Sequence, residues 1–228
     1  MSEAVRTYPS ATGLMRRGSL ADEVAIYIRH LVLTGVLRPG ERIDQEAVSE
    51  ALDVSRSPIR EAVVVLGQEG LLTLSRNRGA FVADITPGDI AEHYELFGAV
   101  SGRAAALAAE QLSDAEIAEL SAIHRRFERG SHTEMSTANH DFHRLINRGA
   151  PRRTRWLLAL LERSVPADYY EFSAGVYADA VADHAAILAA IADRDPDGAR
   201  RAMEHHLRQG GAAAAEALRR QGFWKDDA

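Results

Sequence analysis

The chain contains no cysteine. That excludes disulfides, zinc–thiolate sites and thiol nucleophiles. Any metal would have to be held by His, Asp, Glu, Asn or water. Lysine is nearly missing too: Lys225 is the single lysine among 27 basic residues. Arginine therefore stands in for lysine throughout, and its abundance is not evidence of function. Long apolar runs are also absent. Runs such as Ala104 to Ala109 and Trp156 to Leu161 are far short of the roughly 20 residues that span a bilayer. The first residues, MSEAVRTYPSATGLMRRGS, lack the apolar centre of a signal peptide. A cytoplasmic protein with no membrane partner is expected. A bulk basic excess is missing as well. The net charge is -6, with 27 basic and 33 acidic residues. A nucleic-acid site would therefore need a local concentration of basic side chains.

What is present is the composition of a globular protein. The 228 residues are 46% hydrophobic and 26% charged, enough for one large domain or two modest ones. Charge and histidine are unevenly placed. Up to Ile85 the net charge is -1, and beyond it -5; only His30 of the nine histidines precedes Ile85.

Residues 1–18 lack periodicity and carry Pro9, Gly13 and Gly18, which predicts a flexible tail. From Ser19 the pattern changes. Leu20, Val24, Ile28, Leu31 and Val32 have amphipathic helix spacing, with Ser19 as N-cap and Gly35 and Pro39-Gly40 as terminators. A second helix fits Gln45 to Leu52. A third opens at Ser55 to Pro58, carries Ile59, Val63 and Leu66 inward, and stops at Gly70. Leu71–Leu74 and Ala80–Val82 flank Arg76-Asn77-Arg78-Gly79 as a hairpin. Three helices and a hairpin over residues 19–85 predict a winged helix-turn-helix.

Thr86-Pro87-Gly88 marks a boundary. Residues 86–228 read as helix throughout, over about 88–110, 113–130, 133–148, 151–164, 177–194 and 196–220, an all-α bundle. Ser113 and Glu116 form a capping box, and Asp195-Pro196-Asp197-Gly198 turns between the last two helices. The fold class is mainly α: a winged helix-turn-helix followed by an all-α helical bundle.

In the third helix Arg56 and Arg60 are one turn apart and share a face, opposite the core positions. Two guanidinium groups on an exposed helix start reach guanine edges or phosphates. Ser55 and Ser57 can donate to phosphates beside the free N–H groups of the helix start. At the wing tip, Gly79 permits close approach to a minor groove that Arg76 and Arg78 can enter. The DNA-contact set is thus Ser55, Arg56, Ser57, Arg60, Arg76, Arg78 and Gly79. The plainer alternative makes the serines caps and the arginines surface ion pairs.

The stretches Leu33-Thr34-Gly35-Val36-Leu37-Arg38-Pro39-Gly40-Glu41-Arg42, Val54-Ser55-Arg56-Ser57-Pro58-Ile59-Arg60-Glu61-Ala62, Glu69-Gly70-Leu71 and Asn77-Arg78-Gly79-Ala80-Phe81-Val82 resemble the GntR family of bacterial transcription regulators. The resemblance covers nearly all of residues 19–83. It implies a homodimer on a short palindrome of double-stranded operator DNA, with Arg56, Ser57, Arg60, Arg78 and Gly79 in contact.

The second domain gathers histidines. Asn139 and His143 share a face, and Ile146 marks it as inward, whereas His140 reads as outward. His184 and His206 lie equally far, eleven residues, before and after Asp195. In an antiparallel hairpin both stand about 16 Å from the turn. Their apolar neighbours place both inward, with His205 outward. Three inward histidines and Asn139 could hold a divalent metal; each could instead be a hydrogen-bonded core histidine.

Phe142-His143, His184 with Ile187-Leu188, and Ala202 to Leu207 resemble the FCD type of effector domain within the same family. In that type an acid and three histidines hold a metal beneath a pocket for small carboxylates. Zinc or nickel is then the expected ion, on Asn139, His143, His184 and His206. Asn139 replaces the acid and contributes no charge, which weakens affinity. Phe97 and Ser101 stand where the type has Arg and Glu. They line the expected effector pocket and favour a more apolar or differently anchored ligand than a simple hydroxy acid. The expected function is a ligand-responsive transcription regulator, a repressor, and not an enzyme. The alternatives are a metal-dependent enzyme built on His143, His184 and His206, and an architectural DNA-binding protein without an effector.

Overall fold

A computed structural model describes Tyr8, residues 19–163 and residues 177–224. The chain divides into two compact units, residues 1–86 with 218–228, and residues 87–217.

The first unit begins with α1 (Leu20–Leu33), whose start is fixed by a reciprocal capping box between Ser19 and Asp22. Its inward stripe of Val24, Ile28, Leu31 and Val32 is fully buried. Arg29 lies on the same buried surface, where it donates to Glu69 at 2.6 Å and so pairs both charges. Gly35, at φ +73°, takes the left-handed turn that ends the helix. α2 (Gln45–Leu52) is capped by the Asp44 carboxylate, which accepts from the backbone of Glu46 and Ala47. Asp53, at φ 52°, turns the chain into α3 (Arg56–Gln68). α3 buries Pro58, Ile59, Ala62, Val63 and Leu66. β1 (Leu72–Ser75) and β2 (Gly79–Val82) pair antiparallel, with Leu72 opposite Val82 and Ser75 opposite Gly79. The segment before α2 joins this hairpin: Val82 donates to the Glu41 carbonyl and Ile43 to that of Ala80. This is a winged helix-turn-helix.

Two features of this unit differ from the sequence reading. Tyr8, inside the expected flexible tail, is buried, and its hydroxyl accepts from the Asp44 backbone at 3.2 Å. The other tail residues lie outside the described ones. The C-terminal residues also group here rather than with the bundle. Phe223 is buried, and the Trp224 indole donates to the Ile85 carbonyl at 2.6 Å. Both contacts join residues far apart in the chain, which periodicity along one segment cannot register.

The second unit is helical. It comprises α4 (Pro87–Gln111), α5 (Asp114–Arg129), α6 (His132–Asn147), α7 (Arg152–Glu162), α8 (Tyr177–Ala192) and most of α9 (Pro196–Arg220). Ser113 and Glu116 form the expected capping box of α5, and Ser131 with Glu134 that of α6. The main core joins Leu120, Ile123 and Phe127 of α5 to Phe142 and Ile146 of α6, Ile187 and Ile191 of α8, and Met203 of α9. Arg194, at the end of the α8–α9 hairpin, bonds the Leu112 carbonyl and Asp114. Among the described residues no helix is long and apolar enough to cross a membrane.

Glycines let α4 and α9 approach closely. A Cβ on Gly102 would lie 3.1 Å from the Arg200 carbonyl, and one on Gly211 only 2.7 Å from Cβ of the buried Tyr94. Cβ of Tyr94 is fixed by its own backbone and cannot swing aside. Gly211→Val is therefore expected to destabilise by about 1–3 kcal/mol through overpacking. Urea unfolding checks this; an unchanged midpoint would mean that the seam is looser than described.

Candidate functional site

The helix-turn-helix presents a basic edge. Ser55 is the N-cap of α3 by backbone geometry, yet its side chain makes no capping bond. Its hydroxyl is therefore not spent on the helix. Arg56 and Arg60 are both exposed, one turn apart on α3. Arg56 meets Glu46 of α2 at 3.2 Å, with both side chains more than 70% exposed, so the pair is weak and separable. Ser57 reaches the Glu61 carboxylate only at 3.5 Å. The buried Pro58 and Ile59 hold the opposite side of the same turn. This is why the polar residues of the segment face outward.

The wing carries the second group. Arg76 and Arg78 are exposed, and Arg78 donates to Ser75 Oγ at 3.4 Å. Gly79 has φ +95°, a backbone state that side chains resist. The Arg42 guanidinium lies beside it, within 3.5 Å of where a Cβ would be. Arg42 enters from the segment paired with β2. The sequence reading misses it as a contact candidate, because only tertiary pairing brings it to the wing. Its position outside any helix or turn motif gives no local signal.

In the second unit three predicted histidines converge. His143 of α6, His184 of α8 and His206 of α9 offer nitrogens within 4.8 Å of one another. Their ring centroids are 4.7 to 5.3 Å apart. The equal spacing about Asp195 thus does level His184 with His206. His184 is fully buried, stacked on Phe142 at 4.3 Å and lying beside Phe127 at 4.6 Å. Neither of its ring nitrogens has a hydrogen-bond partner. An orphaned N–H and an orphaned lone pair in a core are costly unless something absent from the protein chain satisfies the lone pair. Burial, reinforced by His206 and then His140, pushes His143 down to about 3. Burial, then His206, His143 and His124, holds His184 well below the ordinary histidine range. Both are therefore neutral at pH 7, the form that binds a metal. The donor set fits a divalent cation.

The remaining predicted residues fall less centrally. Asn139 is half-buried one turn before His143 on α6. His140 and His205 are outward, meeting Glu162 at 3.5 Å and Asp183 at 3.7 Å. Ser101 is buried on α4. Phe97 packs against two apolar clusters of the bundle. Its ring contributes to the core, which qualifies its expected place as a pocket wall. One histidine was missed. His124 of α5 has its ring 6.4 Å from that of His184, and its Nδ1 is buried without a partner. Burial lowers its pKa. Its spacing from Leu120 and Phe127 puts it on the inward face of α5, a signal the sequence does contain.

A winged helix bearing an arginine edge, in a chain whose helical bundle holds a histidine cluster, defines a class of bacterial regulatory proteins. The bacterial regulatory proteins, gntR family, match residues 20–82, and the FCD domain matches residues 92–209. The chain belongs to the GntR family and carries an FCD domain. An uncharacterized HTH-type transcriptional regulator of Mycobacterium tuberculosis is 39% identical over 46% of this chain, and the match spans 43% of that relative's length. An HTH-type regulator in an unstable DNA locus of Streptomyces ambofaciens is 30% identical over 82% of this chain and 81% of its own. Among solved structures, E. coli McbR/YncC superposes with a TM-score of 0.65 at 23% identity, covering 88% of this chain and 99% of that one. The gntR family and the relatives from Mycobacterium tuberculosis and Streptomyces ambofaciens are described as regulators.

Proposed function

We propose that the protein is a ligand-responsive DNA-binding transcription regulator, acting as a cytoplasmic homodimer and as a repressor. The observation that carries this reading is the exposed start of α3, where Arg56 and Arg60 project from a packed scaffold and the Ser55 hydroxyl is not used as a cap. Ser55, Arg56, Ser57 and Arg60 serve the major groove, and Arg76, Arg78 and Gly79 the neighbouring groove and backbone. Trp156, Leu157 and Leu160 of α7 are exposed apolar side chains in the helical unit. A second copy of the chain would remove them from water. Dimerisation then duplicates the reading head for a palindromic site.

In the bundle, His143, His184 and His206, with Asn139, hold a divalent metal such as zinc or nickel. A bound metal would supply a Lewis-acid anchor for an oxygen donor of a small carboxylate effector. The chain's part is to keep the imidazoles neutral and shield them from water. With Asn139 contributing no charge, affinity is lower than with an acid there. Effector binding biases the placement of two DNA-reading units in the dimer, so half-site spacing no longer matches.

The test is retention of DNA from upstream of the protein's own gene, measured across salt concentrations. Specific binding with log affinity falling linearly in log salt is expected. Repression predicts release of the DNA when metal and effector are supplied together. Absence of retention at low salt, with and without candidate carboxylates, would overturn the regulator reading.

A further inference from the structure

Asp183 stands immediately before His184 on α8, but it serves the neighbouring helix. Its Oδ2 lies 3.4 Å from Nδ1 of His206 on α9. Its Oδ1 lies 3.7 Å from Nε2 of His205. The Asp183 side chain is only 14% exposed and that of His206 9%. One carboxylate therefore spans two successive residues of α9, one outward and one inward.

We infer that Asp183 is the positioning residue of the histidine cluster, fixing the ring and tautomer of His206. The reasoning is chemical. A neutral imidazole carries one N–H and one lone pair. A carboxylate accepts only, so it holds the proton on Nδ1 and leaves the lone pair on Nε2. Such an outer carboxylate also makes the ligating nitrogen more basic. The same contact places negative charge one bond system away from the cluster, where Asn139 supplies none. His184, by contrast, has both ring nitrogens unbonded. His206 thus has its tautomer, and not only its ring position, set before any ligand arrives. This inference rests on the metal reading above for its consequence, but the tautomer itself does not.

Two measurements separate the claims. The first records ¹⁵N shifts of labelled histidine in the metal-free protein at pH 8. His206 is expected as the Nδ1–H tautomer in the wild type and as a mixture in Asp183→Ala. The second titrates the same proteins with Zn²⁺ by calorimetry. Asp183→Ala is expected to lose about 10–100-fold in affinity, and Asp183→Glu to recover part of it. Asp183→Asn keeps the shape without the charge; it replaces Asp183→Ala should that variant fail to fold, with an expected loss of about tenfold. A wild type that binds no Zn²⁺ overturns the metal reading, while the tautomer still decides the role of Asp183. An unchanged Nδ1–H tautomer in the variant overturns the inference, as does unchanged zinc affinity in the variant where the wild type binds zinc.

Discussion

Replacing Arg56 and Arg60 together with alanine should lower operator affinity by about 30- to 20,000-fold, from 1–3 kcal/mol for each specific arginine contact. The expected loss is large because both side chains leave one short, rigid stretch of α3, anchored by the buried Pro58 and Ile59. Neither arginine contributes much to folding. Arg60 is exposed, and the Arg56–Glu46 pair is open to solvent, where such pairs contribute under about 1 kcal/mol. The melting temperature of the double variant should therefore stay close to that of the wild type. The two kinds of contact separate in the salt dependence. Phosphate contacts reduce the salt slope by about one each, whereas base contacts relax the sequence preference. Fluorescence anisotropy on the upstream DNA and on an unrelated duplex measures both. Equal affinity of wild type and double variant would remove α3 from the interface.

Acidifying the metal-free protein from pH 7 to pH 5 should remove roughly 2 kcal/mol of stability through His143 alone. The sign follows from proton counting. In the folded protein His143 titrates at about 3, whereas an unfolded histidine titrates near about 6.5. Between those values the unfolded chain binds more protons, so acid favours unfolding. The contribution is complete above about 6.5 and is lost progressively as the pH falls toward 3. His184 is shifted in the same direction, by burial first, and deepens the loss. Urea unfolding at several pH values gives the slope, and His143→Gln should flatten it. Parallel curves for the two proteins between pH 7 and pH 5 would show that His143 is not held neutral by burial. Zinc at a hundred times its dissociation constant should raise stability by about 2.7 kcal/mol, since it binds the folded form. That gain should shrink in acid, because protons compete for the same lone pairs.

The histidine centre shows where the chain of residues is legible and where it is not. The equal separation of His184 and His206 from Asp195 works because a helical hairpin converts residue number into height at a fixed rise. The flanking apolar residues then choose the inward face. Asp183 escapes that arithmetic. It bonds across the hairpin to His206 rather than along its own helix, and no helical period relates the two. His124 was within reach, since its spacing from Leu120 and Phe127 marks a buried face. A histidine among apolar residues is easily counted as polar and assigned to solvent. Phe97, the expected pocket residue, packs between two apolar clusters, where an aromatic side chain fills a core as readily as it lines a cavity.

The linear chain alone determined the three helices and hairpin of the first unit, the helical run that follows Thr86, and the arginine pair on α3. Those features depend on caps, turns and the 3.6-residue period, all of which act within one segment. Only the tertiary structure decided that Arg42 sits beside Gly79, that Tyr8 and Phe223 are buried with the winged helix, and that Asp183 holds His206. Each of these is a contact between distant residues whose partner is selected by packing and by the need to pair buried polar atoms. No local pattern encodes that selection.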